Sequence, residues 1–230
     1  ETPKHSDNFL KLVEKHFYDS LLFHRVIKGF VAQGGDPVSK NAKSDFLLGD
    51  GDVGYSIPAE LDPKLYHKRG ALGAARESDF ITPERASSGC QFYIVIGKTW
   101  SDSLLKVQGK RNDRYFATNN IIKDPANKNF VERYNKNQNV PDSMKGLNAE
   151  LEKLLLLELP KVSPKIFPED QKKMYQTEGG TPHLDGSYTV FGEVVEGMNI
   201  VDLIAQGATD SNDRPLTNVR ILSVEILKKP

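Results

Sequence analysis

The sequence predicts a mainly β fold: a closed or nearly closed antiparallel barrel, capped by two helices and interrupted by an α-helical insertion. Three observations carry that expectation. Short apolar runs rich in β-branched and aromatic residues recur between turn-forming residues, as in "LLFHRVIKGFVAQGG", "GALGAAR", "CQFYIVIG" and "YTVFGEVVEG". Segments of helical period stand near both ends of the chain. From about residue 98 to 180 the composition turns charged and Asn-rich, then leucine-rich, unlike the flanking sequence.

Composition sets the outer bounds. A chain of 230 residues suits one large domain or a domain with a substantial insertion, and 38% apolar residues allow a core. Lys plus Arg and Asp plus Glu both number 31, so charge favours neither nucleic acid nor a membrane surface as partner. "KRNDR" (110–114) is too short and mixed to indicate nucleic acid, and "LEKLLLLELP" is too short to span a membrane. One cysteine, Cys90, excludes an internal disulfide and a cysteine-based zinc cluster. The chain opens on "ETPKHS" with no visible signal peptide, although a targeting segment could have preceded it.

Taken in order, "SDNFLKLVEKHFYD" is a helix by pattern, with Ser6 or Asp7 as N-cap and Phe9, Leu12, Val13 and Phe17 on one face. "LLFHRVIKGFVAQGG" turns β-like, with Lys28-Gly29 as its turn. "VSKNAKSDFLLGDGDVGYSIPAE" reads as loop, and its "GDGDVG" lacks the P-loop lysine and the calcium-loop spacing. Two short buried strands follow, "GALGAAR" and "CQFYIVIG". In "PDSMKGLNAELEKLLLLELP", Met144, Leu147, Leu151, Leu154, Leu155 and Leu159 share a helix face opened near Asp142 or Ser143 and stopped at Pro160. That face either meets a protein partner or packs internally; packing is favoured, because such an exposed stripe is a liability. "FPEDQKKMYQTEGG" is a second short helix. "YTVFGEVVEG" is a bent strand or strand pair, "MNIVDLIAQG" a helix ending at Gly207, and "VRILSVEILKK" a closing strand.

Arg25 is the anomaly. It sits in a β-like run of Phe23, Val26, Ile27, Phe30 and Val31, and arginine is almost never buried without a partner. In a hairpin turning at Lys28-Gly29-Phe30, Ile27 faces Val31 and Arg25 faces Gln33. One reading is an ordinary solvated sheet face. The other is a shallow apolar pocket with one fixed cation and one adaptable amide.

"YDSLLFHRVIKGFVAQGGDP", "HKRGALGAAR", "SSGCQFYIVIG" and "TPHLDGSYTVFGEVVEGMNIVDLI" resemble, in order, the signature segments of the cyclophilin family of peptidyl-prolyl cis–trans isomerases. The likeness covers roughly 1–97 and 181–230, which would form one discontinuous barrel domain around a helical insertion, 98–180. The insertion is similar to an excursion in some bacterial members. The resemblance implies an eight-stranded antiparallel barrel with an outer substrate groove, catalysing rotation about X–Pro bonds of polypeptides without cofactor or metal. It matches Arg25 to the catalytic arginine, Gln33 to the glutamine beside it and Phe30 to the floor under the substrate proline. Val31, Tyr93 and Leu184 match pocket walls, and Tyr188 a substrate-binding position usually held by histidine. Ala75 and Arg76 match the strand that anchors peptide backbone, Gln91 the groove edge, and His183 a rim position. A proline-peptide-binding or chaperone-like module with little activity is the alternative, with the insertion as a surface for a protein partner. Similar bacterial proteins point to the cell envelope, with the cytoplasm as the alternative; the residues name no compartment.

This chain departs from the family at several places. Arg76 stands for asparagine, Tyr93 for phenylalanine, Val31 for methionine, Tyr188 for histidine and Cys90 for serine. His183 stands for tryptophan, which counts against tight cyclosporin binding. The charge of Arg76 is expected to bias substrate choice, Cys90 to be a small buried filler, and His24 to be a hydrogen-bonded structural residue. The family's first strand precedes "ETPKHSDNFLKL" and is not in this sequence, so an open barrel, or an edge covered by something else, is expected.

Overall fold

The structure, a computed structural model, describes residues 1–44 and 46–227. Seven strands are present among them: β1 (Phe23–Ile27), β2 (Val31–Gly34), β3 (Ser56–Ile57), β4 (Ala71–Ala74), β5 (Ser87–Ser88), β6 (Phe92–Val95) and β7 (Val190–Glu193). Five form an antiparallel sheet in the order β1-β2-β6-β4-β7, and β3 pairs with β5. The family's eight strands are not all seen: seven are present among the described residues, and they do not close into a barrel, the open form expected of this sequence.

The pleat sorts the side chains to two faces. On β6, Phe92 and Ile94 point toward helices α1 (Pro3–Glu14) and α6 (Met198–Gln206). Leu12 and Val13 of α1 pack with Phe92, and Val201 and Ala205 of α6 pack with Val26 and Ala32. Tyr93 and Val95 point the other way, into a cluster with Val31, Ala71, Ala75, Leu184 and Val190. The helical caps therefore hold one face of the sheet while the other is free to build a pocket.

Helix α1 begins at Pro3, earlier than the Ser6 or Asp7 cap expected. Proline at the first position lacks only an N–H that would be unpaired anyway. The next two N–H groups, of Lys4 and His5, donate to the Glu60 carboxylate from outside the helix, so no cap of its own is needed. Helix α6 ends at Gly207 as expected.

"VRILSVEILKK" was expected to close the sheet as a strand. Instead its first residues lie along the chain before β1, through Ser20 N–H to Ile221 O (2.7 Å), Ile221 N–H to Leu21 O (2.8 Å) and Phe23 N–H to Val219 O (2.9 Å). Beyond that point it is not a strand up to Leu227; Lys228 and Lys229 lie outside the described residues. An alternating apolar pattern becomes a strand only where a ladder partner takes its N–H and C=O groups, and here backbone pairing ends at Ser20 with Ile221.

Between Lys98 and Gly180 lie four helices: α2 (Asp102–Lys123), α3 (Lys128–Asn137), α4 (Pro141–Glu158) and α5 (Glu169–Thr177). The leucine face of α4 is turned inward. Leu147 and Leu155 are buried on Ala117 and Ile121 of α2 and Phe130 of α3, with Met144, Leu151, Leu154 and Leu159 packed around them. Cys90 is a buried filler as expected, and burial pushes its thiol up to about 11. His24 is buried, in keeping with the structural place expected of it, and no side chain among the described residues meets either ring nitrogen.

Burial lowers the His24 pKa from its ordinary 6.5. Burial also lowers that of His5, outweighing the opposing pull of Glu60, whose carboxylate lies 2.7 Å from Nδ1. Burial alone would raise the Glu60 carboxyl, yet the bonds it accepts hold its pKa below 4.5. The unfolded chain therefore binds protons on these histidines below 6.5 that the folded chain refuses, and stability falls as pH drops through that value. The contribution of Glu60, present above 4.5, is lost in the same direction at lower pH. Urea unfolding followed by fluorescence should give a lower midpoint at about pH 5 than at about pH 7.5. Equal midpoints would contradict this account.

Candidate active site

The β1–β2 hairpin turns where the sequence places it. Gly29 takes a φ of +71°, Phe30 N–H donates to Ile27 O at 3.0 Å, and the register sets Ile27 against Val31 and Arg25 against Gln33. Arg25 and Gln33 consequently rise side by side from one face. Arg25 Nη1 lies 3.5 Å from Gln33 Oε1, and Gln33 Nε2 donates to Gln91 Oε1 at 3.0 Å. Gln91 Nε2 in turn donates to the carbonyls of Gly49 (2.7 Å) and Gly51 (2.8 Å). The "GDGDVG" loop is thus a turn whose carbonyls fix a glutamine.

Arg25 Nε also sits 3.4 Å from Asp213 Oδ2, with both side chains 41% exposed. An ion pair in such a position contributes roughly 0–1 kcal/mol and yields readily to a ligand.

Beside Arg25 opens a cavity of about 300 Å³, lined by Phe30, Val31, Gln33, Ala75, Arg76, Tyr93, Leu184 and Tyr188 among others. It brings together nine of the eleven residues anticipated from the sequence. Gln91 is buried behind Gln33 and lines an adjoining groove of about 430 Å³ instead. His183 lies on the far side of Phe30, its ring 5.1 Å away, and borders a separate cleft.

Arg76, Ala75 and Tyr93 each take a place that their local contacts explain. The Arg76 side chain is 0% exposed. Its Nη2 meets Asp79 Oδ1 at 2.7 Å and Tyr115 Oη at 2.6 Å, Nε donates to Ser187 O, and the guanidinium stacks 4.3 Å from the Tyr188 ring centre. Its charge is sealed in, so it cannot bias substrate choice by direct contact; what it does is hold Tyr188. Ala75 has its N–H given to Gln91 O and its C=O taken by Ser88 N–H, so it offers the cavity only a methyl wall. Tyr93 sends its hydroxyl out of the cavity to His67 Nε2 at 2.9 Å, leaving only ring surface inside. Gly73 makes room for it, since a β-carbon there would collide with the Tyr93 ring. Burial keeps that hydroxyl protonated by raising its pKa well above the ordinary value.

The sequence did not disclose the polar residues behind these walls: His67, Asp185, Gln171 and Tyr175 behind Tyr93, and Tyr115 and Asp79 behind Arg76. One signal was present. A tyrosine hydroxyl in a core demands a partner, and Tyr93 announced that demand.

A half-exposed guanidinium beside a cavity walled by Phe30, Val31, Tyr93 and Leu184, with Asp50 and Glu77 also in the lining and no Ser, Cys, Thr or His there among the described residues, is suited to bind and polarise a substrate. Comparison with known proteins agrees. The family model for cyclophilin type peptidyl-prolyl cis-trans isomerase/CLD matches residues 1–131 and 172–226. A Streptococcus pyogenes protein named as a bifunctional phosphatase/peptidyl-prolyl cis-trans isomerase is 28% identical over 226 residues, covering 97% of this chain and 34% of that protein. A Staphylococcus saprophyticus protein named as a peptidyl-prolyl cis-trans isomerase is 26% identical over 226 residues, 98% of this chain and 82% of its own. The crystal structure of a Cryptosporidium parvum cyclophilin type isomerase superposes with a TM-score of 0.55 at 19% identity, covering 99% of this chain and 86% of that one. The chain belongs to the cyclophilin-type peptidyl-prolyl cis–trans isomerases.

Proposed function

We propose that the cavity at Arg25 is where this chain isomerises X–Pro bonds of flexible polypeptides, with Arg25 as the catalytic group. The observation that carries the reading is the meeting of Arg25, Phe30 and Gln33 in one cavity walled by Val31, Tyr93 and Leu184. Rotation about an X–Pro amide is opposed by resonance worth about 18–20 kcal/mol and takes roughly tens to hundreds of seconds unaided. Halfway round, the nitrogen loses conjugation and regains a lone pair. A cation donor aimed at that nitrogen stabilises the twisted state more than either planar one, which is what accelerates the step.

The proline ring would rest on Phe30 between Tyr93 and Leu184, which exclude the water that would compete for the nitrogen. Gln33, braced by Gln91, keeps the guanidinium fork in place. The backbone N–H and C=O of Arg76 have no partner among the described residues, so they are the groups available to a peptide strand. The Cryptosporidium relative was also crystallised in the presence of the dipeptide Ala-Pro, a substrate fragment of the kind proposed here. Residues 98–180 would be a helical insertion into a barrel domain of 1–97 and 181–230. The short distance between its ends supports this: Gly180 N–H donates to Lys98 O at 3.0 Å.

Titration with a short Ala-Pro-containing peptide, followed by amide NMR, tests the site. Shifts should cluster at Arg25, Phe30, Gln33 and Arg76, and exchange peaks should link the cis and trans peptide at catalytic protein concentrations. Shifts centred on the helices of 98–180 instead would overturn the assignment.

A further inference from the structure

Behind the Tyr93 wall lies a chain of buried polar groups that the reaction itself does not use. Asp185 Oδ1 accepts from the His67 backbone N–H at 2.9 Å and from its Nδ1 at 3.0 Å. Asp185 Oδ2 accepts from Gln171 Nε2 at 2.8 Å and Tyr175 Oη at 2.7 Å, both on α5. His67 is 0% and Asp185 4% exposed. A carboxylate can only accept, so it fixes the imidazole proton on Nδ1 and leaves Nε2 to accept from Tyr93 Oη. Asp185 also follows Leu184 directly in the chain, so the same carboxylate pins the turn carrying the second wall.

We propose that Asp185, held by Gln171 and Tyr175 of α5, is a positioning residue for isomerisation: through His67 and Leu184 it sets both sides of the proline pocket relative to Arg25. The inference rests on the Arg25 cavity being the active site. It makes α5 part of the catalytic frame, in place of a detachable appendage. Buried bonds to a charged acceptor hold geometry better than apolar contact does, because sliding the ring would strand a buried carboxylate or imidazole nitrogen. A second tie has the same form, since Tyr115 of α2 meets Arg76 under Tyr188.

The test is a double-mutant cycle read in kcat, peptide Kd and melting temperature. Asp185→Asn should lower kcat roughly tenfold and Tyr175→Phe roughly threefold, because misaligned walls cost rate. Peptide Kd should move by less than about twofold, since ring burial survives. Tyr93→Phe cuts the His67 arm from the other end, so adding Tyr175→Phe to it should cost less than the product of the two single losses, the remainder passing through Leu184. If Asp185→Asn does not fold, Tyr175→Phe decides, since it keeps the ring. Wild-type kcat in Tyr175→Phe, or losses that multiply in the double variant, would overturn the proposal. So would ring nitrogen-15 NMR placing the His67 proton on Nε2. Arg25→Ala separates the two levels: if it retains full rate the site assignment fails, whereas an inactive Arg25→Ala with a multiplicative cycle removes only the role of Asp185.

Discussion

Arg25→Ala will lose roughly 10²–10³-fold in the rate of X–Pro isomerisation, the range seen when one preorganised donor is removed from a developing charge. The folded state gives no reason for collateral damage. Arg25 is 41% exposed, its pairing with Asp213 is 3.4 Å long, and its contact with Gln33 is 3.5 Å. The melting temperature should therefore stay within a degree or two, consistent with a rim ion pair. Peptide should still bind, because Phe30, Val31, Tyr93 and Leu184 keep their places. Arg25→Lys should fall between, as an ammonium supplies the charge without the planar fork that Gln33 braces. These outcomes separate an enzyme from a peptide-binding module. A module would show equal, low rates in all three proteins, measured by coupled proteolysis or NMR exchange.

The largest stability effect is expected at Asp79. It is 4% exposed and shared by two guanidinium groups: Arg76 at 2.7 Å and Arg85 at 3.0 Å, whose side chains are 0% and 8% exposed. Tyr115 adds a bond to Asp79 Oδ1 at 2.8 Å, and burial pushes its hydroxyl up to about 12, so it stays a donor. Asp79→Ala removes one anion and leaves two cations buried, which typically costs about 3–5 kcal/mol. In a domain of this size the melting temperature should fall by roughly 6–20 °C. Asp79→Asn keeps the shape and some hydrogen bonding and should cost less. A melting temperature unchanged in Asp79→Ala would mean that water already shares the charges of Arg76 and Arg85.

How much the residues disclosed depended on how local the cause was. The register of the hairpin was legible because turn geometry at Lys28-Gly29-Phe30 dictates it within a few residues. The cavity followed from that register, with Tyr93 and Leu184 supplied by the family resemblance. Helix α2 was hidden: its buried face carries Gln108, Asn112 and Asn119, so the hydrophobic period that would reveal it is broken. Two of these amides serve tertiary backbone, Asn112 donating to Pro182 O and Asn119 to Pro83 O, while Gln108 donates to Asn112, and no window of sequence shows such partners. The closing segment differs for the complementary reason: its pattern is that of a strand, but the ladder partner expected to be missing is missing. Alternation in "VRILSVEILKK" is a local signal, and the ladder it needs is not.

Gly180 has one more consequence. Its backbone bridges both Lys68 and Lys98, and its carbonyl accepts from Trp100 Nε1 at 2.9 Å. No other residue fits, since a β-carbon there would strike the His67 carbonyl and the Tyr175 ring. The chain therefore leaves the sheet and returns to it at one riveted point. Residues 132–171, which the family model leaves unmatched, fall wholly inside that loop. Length can be added within 132–171 at little entropic cost, because the cost of a longer closed loop grows only with the logarithm of its length.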